Sequence, residues 1–284
     1  MIKTVQQALV FLTQAFQAKQ VEHSMRQSED LLIDLLNWTR TELYLNAEHR
    51  LTAEQWKKCQ FWLAKRLQGM PLQYLHGKVE FFDTLLYVNS HVLIPRQETE
   101  ILVDKIAQFL KNEALENKVL WDLCCGSGCI SIALKKKFPT LQVLASDLSQ
   151  EAVNVAKKNA QENQVEVFLK QGDLLQAFKN CKVNYFVCNP PYISLKEYEQ
   201  LEKDVVDYEP RQALLAGETG LEFYVCLAEQ LPDYLLPFAK IWLEIGYNQG
   251  QDVRQLFEGP YWENQKIEKD WAGHDRFFSC QLKG

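Results

Sequence analysis

Asn189-Pro190-Pro191-Tyr192 combines residue types that could hold a planar amino group for a reaction. The side-chain carbonyl of Asn189 and the backbone carbonyl of Pro190 can each accept one hydrogen of an –NH₂ group, and the Tyr192 ring can pack on the plane that carries it. The two prolines stiffen the segment. A proline-rich turn that closes a surface loop is the alternative interpretation of the same four residues.

A second set of residues is typical of a site for a nucleoside-bearing cofactor. Asp122 precedes a loop that contains Gly126 and Gly128, and glycines at such a place let the backbone come close to a ligand. Asp147 follows about 25 residues later, where a carboxylate can accept hydrogen bonds from both ribose hydroxyls. Asp173 stands where an acceptor for an adenine amine would be needed.

The same segment lacks two phosphate-binding patterns, the G-x-G-x-x-G spacing of a dinucleotide fold and the lysine of a P-loop. A cofactor without phosphates therefore fits better, and we predict S-adenosylmethionine. Its ammonium group would suit the carboxylate of Asp122. As alternatives, Asp147 could cap the following helix, Asp173 could belong to a turn, and the two glycines could form an ordinary turn.

The order of strands and helices indicates how these residues could meet. Apolar segments alternate with helical ones along the second part of the chain, which predicts a parallel sheet with helices on both faces. The candidate residues follow the ends of strands, where open α/β sheets bind their ligands. We predict strands at residues 118–123, 141–146, 165–170, 183–188, 240–245 and 276–282.

The first part of the chain has a helical pattern. Its apolar residues recur at steps of three and four, beginning with Val5, Ala8, Leu9, Leu12 and Phe16. Thr52 and Gln55 have the types and spacing of a capping box, in which each side chain accepts a hydrogen bond from the backbone of the other residue. We therefore predict a small helical domain at residues 1–76.

Apolar residues alternate with a period of two between these parts. Phe81-Phe82 and the run at residues 85–88 flank Asp83-Thr84, which predicts a β-hairpin with its turn at those two residues. We assign the hairpin to a linker at residues 77–94. The α/β domain then spans residues 95–284.

Composition limits the classes of partner. The chain of 284 residues has a formal net charge of -6, so we expect no direct binding of nucleic acid. Residues 1–80 are mildly basic, which favours an acidic partner for that part. We find no signal-peptide or membrane-spanning pattern and expect a cytoplasmic monomer. Cys124, Cys125 and Cys129 lack a second cluster that would complete a zinc site, so no metal site is predicted.

Several motifs, spread over nearly the full length, resemble those of a known protein family. They are Gly69-Met-Pro-Leu-Gln-Tyr74, Pro95-Arg-Gln-Glu-Thr-Glu100, the Asp122 loop, Asn189-Pro-Pro-Tyr192, Glu209-Pro-Arg-Gln-Ala-Leu214, Gly217-Glu-Thr-Gly-Leu221, Glu244-Ile-Gly-Tyr247 and Ala272-Gly-His-Asp-Arg276. On these motifs the chain resembles the HemK/PrmC family of peptide chain release factor glutamine N5-methyltransferases. The second and fifth motifs carry the resemblance most specifically, since Asn-Pro-Pro-Tyr occurs in several amino-methylating families.

The resemblance implies a Rossmann-like, seven-stranded class I methyltransferase domain with a small N-terminal helical domain and a β-hairpin linker. It implies S-adenosylmethionine as cofactor and, as substrate, the Gln of the Gly-Gly-Gln motif in class I release factors, which the helical domain would help to dock. The implied catalytic residues are Asn189, Pro190 and Tyr192, and the substrate-binding set adds Pro191 and Glu209. The implied cofactor-binding residues are Asp122, Cys124, Gly126, Gly128, Asp147, Asp173 and Asn189.

Cys124 and Cys125 stand where that family usually has Gly-Thr. If the first of these positions requires a positive φ, Cys124 would be strained there. Because Cys is small, we expect cofactor binding to survive with a slightly altered loop. A packing role for the two thiols is favoured over a redox role. Arg96, Glu98 and Arg211 could either contact a ligand or only order the pocket.

Three other functions share part of the pattern. A ribosomal-protein glutamine methyltransferase would use the same chemistry on another protein. A DNA adenine-N6 methyltransferase would hold the adenine amine in the same way, but the acidic chain has no basic insertion for target recognition. A non-enzymatic adaptor would act through its helical domain and keep the cofactor pocket only as a relic.

Overall fold

The computed structural model describes residues 3–284, and these form two compact units. The first unit ends at Gly77 and the second begins at Lys78. Each unit has hydrophobic clusters of its own. Within the described range, no helix combines the length and the apolar character needed to cross a membrane.

Helices make up the first unit in its described residues: α1 (Val5–Ala18), α2 (Ser24–Leu36), α3 (Arg40–Leu45), α4 (Ala53–Arg66) and α5 (Leu72–His76). The predicted apolar face is confirmed, because its five residues are the buried residues of α1. The predicted capping box is confirmed as well. Thr52 accepts the backbone N–H of Gln55, whose side chain in turn accepts the N–H of Thr52.

A hairpin of β1 (Lys78–Phe81) and β2 (Thr84–Tyr87) opens the second unit. Its turn lies at Phe82 and Asp83, one residue earlier than predicted. The reason is that these residues have positive φ values of 43° and 61°, as a tight hairpin turn that matches the strand twist requires. Phe81 and Leu86 are buried in a core cluster of the second unit, so the hairpin that we assigned to the linker packs as part of that unit.

The remaining strands are β3 (Val119–Leu123), β4 (Gln142–Asp147), β5 (Phe168–Gln171), β6 (Val183–Cys188), β7 (Ile193–Ser194), β8 (Leu215–Gly217), β9 (Leu235–Glu244), β10 (Trp262–Lys269) and β11 (Asp275–Leu282). β7 and β8 form a short parallel pair. The others form one seven-stranded sheet in the order β10-β11-β9-β6-β3-β4-β5. The five strands from β9 to β5 are parallel, whereas β11 is antiparallel to both of its neighbours.

The helices of this unit are α6 (Gln97–Leu110), α7 (Cys129–Lys137), α8 (Gln150–Glu162), α9 (Leu195–Tyr198), α10 (Lys203–Tyr208), α11 (Glu222–Gln230) and α12 (Gly250–Leu256). They cover both faces of the sheet, as predicted. Along β6, Phe186 and Cys188 enter the core cluster that contains residues of α11 and α12, whereas Tyr185 and Val187 enter the cluster that contains residues of α6 and α7.

The strand order reverses between β3 and β6. At such a switch point the connections leave the two central strands in opposite directions, which opens a crevice at their carboxyl ends. The Asp122 loop follows β3, and Asn189-Pro-Pro-Tyr192 follows β6. The topology therefore brings the two candidate motifs to one crevice.

Strand β10 was not predicted. It pairs with β11 at the edge of the sheet, and of its residues only Trp262 is buried. An edge strand that is solvated on most sides needs few apolar residues, and this one resembles a loop in sequence. The predicted strand at residues 240–245 proved longer, since β9 begins at Leu235.

Candidate active site

A cavity lies at the carboxyl ends of β3, β4 and β6, within the second unit. Of the residues predicted for the site, those on its wall are Cys124, Gly126, Asp147, Asp173, Asn189 and Pro191. The remaining predicted residues lie off this wall, namely Asp122, Gly128, Pro190, Tyr192 and Glu209. Between the predicted residues the wall is largely apolar, with Ile130, Leu148 and Leu174.

The loop after β3 is held against the end of β4 by backbone hydrogen bonds. Gly126 donates its N–H to Asp147 Oδ2 at 2.8 Å, and Cys125 donates its N–H to the Ser146 carbonyl at 3.0 Å. The other oxygen of Asp147 accepts the Ser149 N–H at 2.9 Å, so this residue also supports the start of α8. Burial raises the pKa of Asp147, against the lowering effect of these hydrogen bonds.

Asp122 lies behind the loop and is fully buried. Its Oδ2 accepts the Ser131 N–H at 3.0 Å, which ties the end of β3 to the first turn of α7. Its Oδ1 is buried without a hydrogen-bond partner in the described chain. Burial raises the pKa of this carboxyl to about 7. The predicted contact between Asp122 and the cofactor ammonium therefore stays a prediction, and the contact that the geometry gives is to α7.

The Asn-Pro-Pro-Tyr segment is held rigidly. Pro190 and Pro191 are buried, and Gln249 Nε2 donates to the carbonyl oxygens of Tyr192 at 2.9 Å and Gly220 at 3.2 Å. Burial raises the pKa of the Tyr192 phenol to about 12, so that it stays neutral. Sequence reasoning missed Gln249, whose only signal is its place just after the Glu244-Ile-Gly-Tyr247 motif.

Two further contacts join distant motifs at this site. Arg96, on the cavity wall, forms an ion pair with Glu209, a residue only 6% exposed. Asn189 Nδ2 donates to Thr99 Oγ1 at 3.3 Å, and Thr99 donates to Glu244 Oε2 at 2.7 Å. Arg96 thus both orders the pocket, through its ion pair, and faces it. Thr99 was not singled out as a site residue from the sequence.

The residues on the wall suit S-adenosylmethionine. Asp147 and Asp173 place two carboxylates beside apolar side chains, and these acceptors match the hydroxyls and positive charges of this cofactor. No lysine lines the cavity in the described chain, which agrees with a ligand that carries no phosphate. Gly126 has a φ of 52° and open space where a Cβ would stand, so the backbone there can approach a ligand closely.

A seven-stranded sheet of this order, with a glycine loop after its first strand, defines a Rossmann-like methyltransferase. A family model of the methyltransferase small domain matches residues 97–214, and one of the PrmC N-terminal domain matches residues 7–77. The crystal structure of a methyltransferase from Pyrococcus furiosus has the same fold, with a TM-score of 0.51 at 18% identity over 82% of this chain and 100% of that chain.

Curated relatives are more specific. The release factor glutamine methyltransferase of Chlamydia trachomatis serovar L2 is 40% identical over 263 residues, which cover 91% of this chain and 87% of that protein. That of Leptospira interrogans serovar Lai is 37% identical over 264 residues, 91% of each chain. The chain belongs to the release factor glutamine methyltransferase family. The predicted family, enzyme class and S-adenosylmethionine cofactor are thereby confirmed.

Cys124 has a φ of 59°, so the condition under which strain was expected at this position, a positive φ, is met. We expect Cys124→Gly to be at least as stable as the native chain, because the left-handed conformation costs a residue with a Cβ about 1–2 kcal/mol. The matched control is Cys125→Gly. Cys125 is buried and its φ is not positive, so the same change should cost about 1–2 kcal/mol there through lost packing.

Denaturant unfolding of the two variants measures this contrast. If Cys124→Gly proves less stable than the native chain, then packing of the Cys124 thiol, which lies half-buried against the core, outweighs its backbone strain.

Proposed function

We propose that this chain transfers the methyl group of S-adenosylmethionine to the side-chain nitrogen of the glutamine in the Gly-Gly-Gln motif of class I release factors. One observation carries the proposal: Asn189, an amide acceptor, lies on the wall of the same cavity as the glycine loop. The names of the curated relatives support the choice of a release factor as substrate. The helical unit that ends at Gly77 would help to dock that protein.

An amide nitrogen is a weak nucleophile because its lone pair is delocalised into the carbonyl. In our proposal the side-chain oxygen of Asn189 and the backbone carbonyl of Pro190 accept the two amide hydrogens. Both acceptors then orient the nitrogen and favour the positive charge that builds on it during transfer. Positioning of this kind can lower a barrier by roughly 7–11 kcal/mol in ideal cases.

S-adenosylmethionine, when bound, would supply the electrophilic methyl group. The amide nitrogen gains its bond to that methyl as the S–CH₃ bond breaks, and one of its two protons leaves to solvent once the nitrogen is alkylated. The residues of this chain supply position. Tyr192, a neutral phenol, would pack on the plane of the substrate amide. The Arg96–Glu209 ion pair would line the approach of the peptide, since Arg96 stands on the cavity wall and Glu209 Oε2 is buried without a hydrogen-bond partner among the described residues. A substrate N–H could satisfy that oxygen.

The test is methyl transfer from labelled S-adenosylmethionine to a purified release factor, followed by peptide mass mapping. We expect one methyl group on the Gln of Gly-Gly-Gln, and none on a release factor with that Gln replaced by Asn. Transfer to a ribosomal protein, with none to the release factor, would support the ribosomal-protein alternative and overturn the proposal.

A further inference from the structure

Glu244 is a buried carboxyl at the carboxyl end of β9, beside the end of β6. It is only 2% exposed and is not part of the cavity wall. The Thr99 hydroxyl donates to its Oε2 at 2.7 Å, and Asn189 Nδ2 in turn donates to the Thr99 oxygen at 3.3 Å. Thr99 and Asn189, unlike Glu244, line the cavity. The Glu244 carboxyl, which lies off the cavity wall, is thus connected to Asn189 through the Thr99 hydroxyl.

The direction of these hydrogen bonds follows from the chemistry of the groups. A hydroxyl has one hydrogen, and that of Thr99 is donated to the carboxylate, so the Thr99 oxygen can only accept from other partners. Asn189 therefore has to turn its –NH₂ end toward Thr99 and Glu244, where Nδ2 lies 3.3 Å from Thr99 Oγ1. The carbonyl end, Oδ1, is then turned away from both partners.

We propose that Thr99 and Glu244 are positioning residues that fix the orientation of the Asn189 side-chain amide, so that its carbonyl oxygen faces the substrate amide. The inference rests on the proposed function, which requires Asn189 to accept a hydrogen. A flipped Asn189 would place its own –NH₂ against that of the substrate, where two donors repel each other. The two ends of an amide have nearly the same shape, so packing alone cannot select between them.

We call the hydrogen-bonded chain from Asn189 through Thr99 to Glu244 the relay. It requires Glu244 to be ionised, because a protonated carboxyl can donate to Thr99 and reverse the direction of the hydrogen bonds. Burial raises the pKa of Glu244 to about 7, and Glu98 raises it further, against the lowering effects of Thr99, Arg276 and Asn189. The groups that interact with Glu244 are Glu98 and Thr99 on α6, Cys129 on α7, Asn189 and Tyr192 after β6, Tyr224 on α11 and Arg276 on β11. Turnover should therefore fall as the pH drops through about 7.

The first experiment compares Thr99→Val, which removes the hydroxyl and keeps the shape, with Thr99→Ser, which keeps the hydroxyl. We expect Thr99→Val to lower kcat by about 10- to 100-fold, the range seen when a residue that orients a functional side chain without touching the substrate is removed. Thr99→Ser should stay near the native rate. Affinity for S-adenosylmethionine, measured by calorimetry, should be unchanged in both. Thr84→Val is the control, since Thr84 is equally buried but bonds to the Phe81 carbonyl in the hairpin.

The second readout is the pH profile of kcat. The decline below a pH of about 7 should disappear in Thr99→Val, since the relay is then broken at every pH. Asp122 titrates in the same range, so cofactor affinity is measured at each pH to separate its effect. A purely structural role for Thr99 would lower stability without altering the profile.

Two results would contradict different parts of the argument. If Asn189→Ala is inactive but Thr99→Val keeps the native kcat and pH profile, the relay is wrong and the role of Asn189 stands. If Asn189→Ala itself turns over normally, the proposed function of Asn189 is wrong, and the relay has nothing to orient.

Discussion

Asn189→Ala is expected to lower kcat for glutamine methylation by about 10²- to 10³-fold, the range seen when one preorganised hydrogen-bonding group is removed from an active site. The residue stands on the cavity wall at the end of β6, and its oxygen is the acceptor that would hold the substrate amide in line for transfer. Because that interaction forms with the second substrate, affinity for S-adenosylmethionine should remain unchanged. Single-turnover transfer and calorimetry measure the two quantities separately.

Asn154→Ala is the matched control for this prediction. Asn154 is exposed on α8, off the cavity wall, and its side chain accepts a surface hydrogen bond from Gln150. The same chemical change there should leave both turnover and cofactor binding at native levels. A parallel loss of cofactor affinity in Asn189→Ala would instead assign Asn189 to cofactor binding, and the proposed acceptor role would then be wrong.

Gly220→Ala should reduce kcat by roughly 10²-fold, since a displacement of about 1 Å at a reacting group can cost that much. A Cβ at Gly220 would stand 2.6 Å from the backbone oxygen of Tyr192 and 2.8 Å from Gln249 Nε2. Both contacts are too short, and the first is with backbone, so the Asn-Pro-Pro-Tyr segment has to shift. Initial rates with a release factor as substrate, alongside calorimetric affinity for S-adenosylmethionine, test this.

Gly273→Ala separates the clash from backbone strain. Gly273 has a φ of 85°, close to the 83° of Gly220, but a Cβ there would meet nothing within 4 Å. Both substitutions should cost about 1–2 kcal/mol of stability for the left-handed conformation, and only Gly220→Ala should lose activity. Equal rates for the two variants would mean that the segment after β6 tolerates the displacement.

Sequence reasoning predicted the elements that position the site because their signals are local. Val183–Cys188 is an apolar run that two prolines end, and the structure has a strand with those bounds. Ser149, a residue type that helix N-caps favour, accepts the Ala152 N–H with its side chain at the start of α8. Strain at Cys124 was made conditional on a positive φ, and the structure gives it a φ of 59°. Strand β10 was not predicted because the sequence of an edge strand contains few apolar residues in an alternating pattern.

Partners that lie far apart in the chain could not be predicted in the same way. Thr99 and Glu244 are separated by 145 positions, and Arg96 and Glu209 by 113. Each of these residues belongs to a motif that was noted, but no local pattern says which motif will face which. Asp122 illustrates the same limit, because no local pattern indicated its hydrogen bond with the Ser131 N–H on α7, whereas its predicted contact with the cofactor ammonium stays a prediction.

By itself, the sequence determined the class of chemistry, since the glycine loop after β3 and the Asn-Pro-Pro-Tyr segment after β6 carry it in their residue types. It also determined that both would lie at the ends of parallel strands. Only the tertiary structure decided that Asn189 is connected through Thr99 to Glu244, with its Nδ2 turned toward the Thr99 oxygen. The reason is physical: strand order depends on non-local pairing, and the direction of a hydrogen bond depends on every partner in its chain.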